Sequence, residues 1–141
     1  MVNIVVDSSV LIEKIRFESE LFDNLKDKQK NEKISLMIPV VVIAELWAGE
    51  SMNNEKNRSI VEHIISIISR VEVSENIAKL SGEIVRKFKI NPMDALIAAC
   101  AIENGAEVAT LNAKHFMRVR GLKLYKMDKK GDKIRADVKS K

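Results

Sequence analysis

Cysteine is almost missing from this chain. Cys100 is the only one among 141 residues, so no disulfide can form within it. A reducing, cytoplasmic location is therefore the expectation, and Cys100, set in an apolar run, reads as a small core hydrophobe and not as a reactive thiol. No apolar run approaches the ~20 residues that a membrane-spanning helix needs, so no membrane association is expected. The apolar N-terminus MVNIVVDSSVLIEKI lacks the basic segment and small-residue cleavage site of a signal peptide, and reads as a strand entering the core. Also absent are a glycine-rich phosphate loop, a zinc-spaced set of cysteines and histidines, and a convincing Ser–His–Asp arrangement.

What is present describes one globular domain. Hydrophobic residues make up 46% of the chain and charged residues 31%, enough to bury a core without disulfides. The net charge of +4 has a definite location: Lys126 to Lys141 carries seven Lys/Arg against three Asp, so the remaining 125 residues are neutral overall. Residues 1–125 are expected to form the folded domain. Residues 126–141 form a basic tail, expected to be flexible, with contact to nucleic-acid phosphates as its sharper reading.

Along the chain, apolar runs alternate with helical periodicity. VNIVV suits a buried strand, followed by Asp7 and a helix through SVLIEKI that Ser8 or Ser9 could cap. Arg16 to Lys33, with Phe17, Leu21, Phe22 and Leu25 at helical spacing, predicts an exposed amphipathic helix. A strand at Ser35 to Ile38 leads through Pro39 into a helix over VVVIAELWAGE. After the polar turn SMNNEKN come the helix RSIVEHIISIISR, the strand VEV and a helix over ENIAKLSGEIVRKFK capped by Ser74. The fragment INPMDALIAACAIENG predicts the next helix, closed by Gly105. EVAT and LKLY are strands on either side of a turn or short helix at NAKHF. Strands alternating with helices, without hairpin signals, predict an α/β architecture on a mostly parallel sheet.

Ligands bind such a sheet at the carboxyl ends of its strands, and Asp7 ends the first one. Its alternative is a simple turn or cap aspartate. Glu45 lies in an almost wholly apolar helix, where a buried carboxylate must be paired or must bind a cation. A structural salt bridge is the other reading of that position. Asn91, Pro92 and Asp94 fit N-cap, N1 and N3 of a helix, so Asp94 alone reads as a capping residue. Together the three acids must converge in one small core, where like charges raise one another's pKa unless a cation neutralises them. Mg²⁺ or Mn²⁺ suits oxygen ligands. Such a centre would position a phosphate and acidify a water, making metal-assisted phosphodiester hydrolysis the chemistry these residues could best perform.

VVDSSVLIE, IPVVVIAELWAG and INPMDALIAACAIENGAEVATLNAKHF, in that order and spacing, resemble the successive motifs of PIN-domain ribonucleases. They are most similar to the VapC-type toxins of prokaryotic toxin–antitoxin pairs, and the resemblance spans about residues 2 to 125. It implies a three-layer α/β/α fold and a Mg²⁺- or Mn²⁺-dependent endoribonuclease acting on RNA. Asp7, Glu45 and Asp94 match acidic positions of the family site, with Asp7 and Asp94 as direct metal ligands and Glu45 acting directly or through a water. Ser9 and Thr110 match small hydroxyl residues lining that site. Many members carry a fourth acid within the segment corresponding to TLNAKHF; here Asn112 and His115 stand at those positions. Asn112 could offer a carbonyl oxygen to a metal or its water. His115 reads as an exposed loop histidine, or in the sharper reading as a phosphate or Mn²⁺ contact. The resemblance also implies a homodimer held inactive by a small cognate antitoxin. Leu21, Phe22, Leu25 and the apolar positions of Ile60 to Ile68 are candidate surfaces, with core packing as their alternative. Trp47 reads as a core or interface anchor, and His63 as a helix-surface residue.

Two other classes compete. A catalytically weakened RNA- or partner-binding module on the same fold is compatible with the missing fourth acid. A phosphoaspartate protein would also end a strand in Asp, but the dehalogenase type needs a second Asp where Ser9 stands. A receiver domain needs an acidic pair and a later lysine that are not evident here.

Overall fold

The computed structural model describes residues 1–31 and 33–127. The tail expectation falls mostly outside the described residues. Among them, five strands form one sheet: β1 (Val2–Val6), β2 (Ile34–Pro39), β3 (Ser69–Val71), β4 (Ala106–Ala109) and β5 (Lys123–Leu124). Their order is β3-β2-β1-β4-β5 and all four pairings are parallel, so the sheet is not merely mostly parallel. Consecutive residues Ile4, Val5 and Val6 are all fully buried. Alternate residues of a strand point to opposite faces, so both faces of β1 are covered, as parallel sheets require. This is the expected three-layer α/β/α arrangement.

The helices are α1 (Ser8–Phe17), α2 (Leu21–Lys30), α3 (Val40–Ala48), α4 (Glu55–Ile67), α5 (Glu75–Phe88), α6 (Pro92–Glu103) and α7 (Ala113–Phe116). The most deeply set is α6, in which Ile97, Ala98, Ala99, Cys100 and Ala101 have no exposed surface. A helix apolar on all sides belongs in the interior. It packs along α5 and against β1 and β4. Burial also pushes the Cys100 thiol up to about 11, in keeping with a core role.

Several elements differ from expectation. The helix expected over Arg16 to Lys33 starts later, at Leu21: Arg16 and Phe17 belong to α1, which Glu18 closes in the left-handed region at φ 53°, donating its N–H to the Lys14 carbonyl. After that turn Leu21, Phe22 and Leu25 face inward and are buried, leaving Phe17 exposed. Those three residues are core, not a docking stripe. Helix α4 begins earlier than its apolar spacing indicates, capped by the Asn54 side chain on the Asn57 N–H, and ends at Ile67. Ser69–Val71 pairs instead with Met37–Pro39, so β3 lies two residues before VEV. Strand pairing there overrides helical periodicity. Trp47 is 41% exposed and is not a core anchor, and Ala44 and Ala48 on the same helix are exposed as well. Ser74 caps α5 as expected, and Gly105, at φ 58°, follows the Asn104 cap of α6.

Candidate active site

Strand β1 leads away through α1 toward β2, whereas α6 returns the chain to β4 on the other side of β1. The order in which strands are added therefore reverses between β1 and β4, and residues just past their carboxyl ends share one crevice. Asp7 follows β1 and Thr110 follows β4. The Asp7 N–H extends the ladder to the Ala109 carbonyl at 3.0 Å.

Asp7 itself occupies the N-cap of α1, the position expected for Ser8 or Ser9, yet its carboxylate makes no capping bond. Only 3% exposed, it accepts hydrogen bonds from Ser9 Oγ at 2.8 Å and Thr110 Oγ1 at 2.7 Å, both on Oδ2. Ser9 Oγ also accepts the Leu111 N–H at 2.9 Å, and Thr110 Oγ1 accepts the Asn112 N–H at 2.9 Å. The two hydroxyls thus tie the start of α1 to the β4–α7 loop and hold one carboxylate oxygen, while Oδ1 makes no hydrogen bond among the described residues.

Glu45 comes from the middle of α3, between the buried Val42 and Leu46. Its Oε1 is buried without a hydrogen-bond partner. Burial raises its carboxyl above the ordinary range; the Ser8 hydroxyl works the other way, and the charges of Asp7 and Asp94 raise it further. Asp94 enters at the third position of α6. Its start is fixed by Pro92 at the first position and by the Asn91 Oδ1, which accepts the Met93 N–H at 2.7 Å. Its side chain is 18% exposed, and Oδ2 lies 3.4 Å from His115 Nδ1. Burial raises Asp94, Asp7's charge raises it further, and His115 offsets part of this.

Asp7 and Asp94 lie near enough to Glu45, and Asp7 near enough to Asp94, for their charges to raise the Glu45 and Asp94 carboxyls. They do not close on one point: among the described residues no three His, Cys, Asp or Glu side chains form a ready metal-holding group. The chemistry of the set still fits a divalent cation. Its donors are oxygens, Glu45 Oε1 is buried and unpartnered, and the repelling charges have no neutralising lysine or arginine among the bonds they make.

The remaining predicted residues divide. Ser9 and Thr110 are built into the network around Asp7. His115 is 58% exposed, as a surface histidine would be, but on the short helix α7 it stands against Asp94. The Asn112 side chain is exposed and makes no capping bond, so it is at the edge of the site without joining the acids. Sequence reasoning missed Ser8, whose hydroxyl eases Glu45, and the cations Lys89, Lys114 and Arg118, which line a cavity beside Asp94. The four-residue spacing of Lys114 and Arg118 was the available signal for the latter.

The chain is similar to known proteins over most of its length. The family model described as PIN domain matches residues 4–122. Ribonuclease VapC10 of Mycobacterium tuberculosis is 34% identical over 126 residues, covering 85% of this chain and 90% of the relative. Ribonuclease VapC1 of Rickettsia felis is 27% identical over 137 residues, covering 90% and 98%. The crystal structure of VapBC2 from Rickettsia felis bound to a DNA fragment from its promoter superposes with a TM-score of 0.77 at 25% identity, covering 89% of this chain and 99% of that one.

Proposed function

The chain belongs to the PIN-domain family, and from that membership we propose that it is an endoribonuclease, the toxin of a VapBC-type toxin–antitoxin pair, that requires Mg²⁺ or Mn²⁺. One observation carries the reading: at the strand-order reversal Asp7 and Asp94 raise the charge cost of Glu45, and Asp7 that of Asp94, with Glu45 Oε1 buried and unpartnered. Buried carboxylates in that condition are costly unless a cation joins them, and stability alone gives no reason to gather them.

Asp7, Asp94 and Glu45 would hold the ion. When bound, it supplies the positive charge that draws in a scissile phosphate and acidifies a water. The chain supplies position and proton chemistry. Ser9 and Thr110 both bond Asp7 Oδ2 and so fix the orientation of its carboxylate. The capped start of α6 holds Asp94 on a rigid, buried helix. Glu45, whose carboxyl burial holds above its ordinary value, can orient a water and take its proton. His115 and Asn112 sit where the family's fourth acid often stands; His115 can donate to a phosphate oxygen while paired with Asp94.

A cognate antitoxin is the proposed protein partner, a homodimer the proposed assembly, and the cytoplasm, where RNA is available, the proposed location. The exposed apolar face of α3 at Ala44, Trp47 and Ala48 offers an interface for either partner. In the described residues no helix is long and apolar enough to cross a membrane.

The test is RNA cleavage by purified protein freed of any antitoxin. Cleavage should appear with Mg²⁺ or Mn²⁺, vanish with EDTA, and fall by at least about a hundredfold in Asp94→Asn. Equal cleavage by wild type and Asp94→Asn would remove the acids from the mechanism. Binding of RNA without metal-dependent cleavage would favour the weakened-module reading, which the unjoined Asn112 side chain supports.

A further inference from the structure

A cavity of about 270 Å³ opens beside Asp94, lined by Lys89, Asn91, Asp94, Lys114, His115 and Arg118. Its cations come from two separate segments. Lys114 lies on α7 and Arg118 in the turn just after it. Lys89 arrives from the α5–α6 junction, where it closes α5 at φ 57°. Glycine is the residue that this left-handed position favours, and a lysine there carries backbone strain. None of the three cations pairs with a carboxylate among the described residues. They are not the counter-charges of the acidic site either, since the group that offsets Asp94 is His115.

Asn91, also in the lining, offers donors as well. Asn91 Oδ1 is taken by the Met93 N–H, which leaves its Nδ2 hydrogens for an external acceptor. The cavity therefore gathers donors and positive charge at the margin of a negatively charged centre. Scattered surface lysines would not collect this way from two elements. A polyanion approaching three carboxylates needs such a counterweight, and residues 1–125 carry no net charge to provide it.

We infer that Lys89, Lys114 and Arg118 form a subsite for a backbone phosphate of the RNA strand next to the phosphate that is cleaved, setting the strand's position across Asp94. This inference rests on the ribonuclease reading for its ligand, but it is tested without catalysis.

Binding of a fluorescein-labelled, mixed-sequence single-stranded RNA is measured by anisotropy in EDTA over a range of salt concentrations. The variants are Lys89→Gln/Lys114→Gln/Arg118→Gln and a control of equal charge change at exposed sites elsewhere, Lys30→Gln/Lys56→Gln/Arg86→Gln. The subsite variant should bind about tenfold or more weakly, and the slope of log affinity against log salt should fall by about 0.7, the loss of one single-strand phosphate contact. The control should keep the wild-type slope. Lys89→Gly should hold or raise the melting temperature while weakening binding, which separates phosphate contact from folding. Equal losses in subsite variant and control, an unchanged slope in the subsite variant, or no RNA binding by wild type in EDTA would each overturn the inference. Wild-type binding with the expected slope but no cleavage in Mg²⁺ or Mn²⁺ would uphold the subsite and remove the nuclease assignment.

Discussion

Glu45 shows what a single residue can report about a site. Its carboxyl and that of Asp94 are both held above their ordinary values, so the folded protein binds their protons more tightly than the unfolded chain does. The stability linked to that tighter binding is fully present below the unfolded pKa and is lost as the pH rises through the raised folded values. In metal-free buffer at neutral pH, the ionised Glu45 is therefore a burden. Glu45→Gln keeps the shape and removes the charge, so it should melt at a higher temperature than wild type in EDTA at pH 7. The gap should shrink as the pH is lowered, measured by calorimetry at constant ionic strength. A variant less stable than wild type at pH 7 would show Glu45 to be a structural anchor. The acid at position 45 was legible in the sequence because its neighbours are apolar. The hydroxyl pair that holds Asp7 was foreseen only as site lining, since Thr110 reaches Asp7 across 103 residues and such a contact leaves no local periodicity to read.

At the scale of elements, α6 does most to place the chemistry. Ala95 and the run from Ile97 to Ala101 are buried on every side of the helix, and Asn91 and Pro92 set where it starts. Asn91→Ala removes the hydrogen bond to the Met93 N–H and should cost about 1 kcal/mol in denaturant unfolding. It should also lower metal-dependent RNA cleavage at concentrations where the variant remains folded, because Asp94 rides on that first turn. Unchanged cleavage with the stability loss intact would make the cap structural only. The choice between cap and catalyst for Asp94 dissolves here: Asn91 caps, and Asp94 is carried by the end that Asn91 fixes. Helix existence and order were readable from apolar spacing and caps. The misses came where tertiary structure overruled that spacing. Ser69–Val71 follows β2 into the sheet instead of prolonging α4, and Glu18 breaks a periodic stretch with a left-handed turn that its own identity does not announce.

For the whole molecule, the parallel sheet, its reversal beside β1 and the deep burial of α6 place three acids from α3, α6 and the end of β1 within each other's field. The topology was accessible from alternating strands and helices together with the family resemblance. The convergence itself is a property of the folded chain, since residues 7, 45 and 94 are remote along it. The basic cavity beside Asp94 was hidden for the same reason: Lys89 and the Lys114/Arg118 pair become neighbours only when α5–α6 and α7 meet at this end of the sheet.

The account rests on a cation joining those acids, and a Mn²⁺ titration of the metal-stripped protein, followed by calorimetry, tests it most directly. Saturable binding by wild type, abolished in Asp7→Asn/Glu45→Gln/Asp94→Asn while that variant melts cooperatively, is the predicted result. No binding by folded wild type, or equal binding by the triple variant, would contradict it.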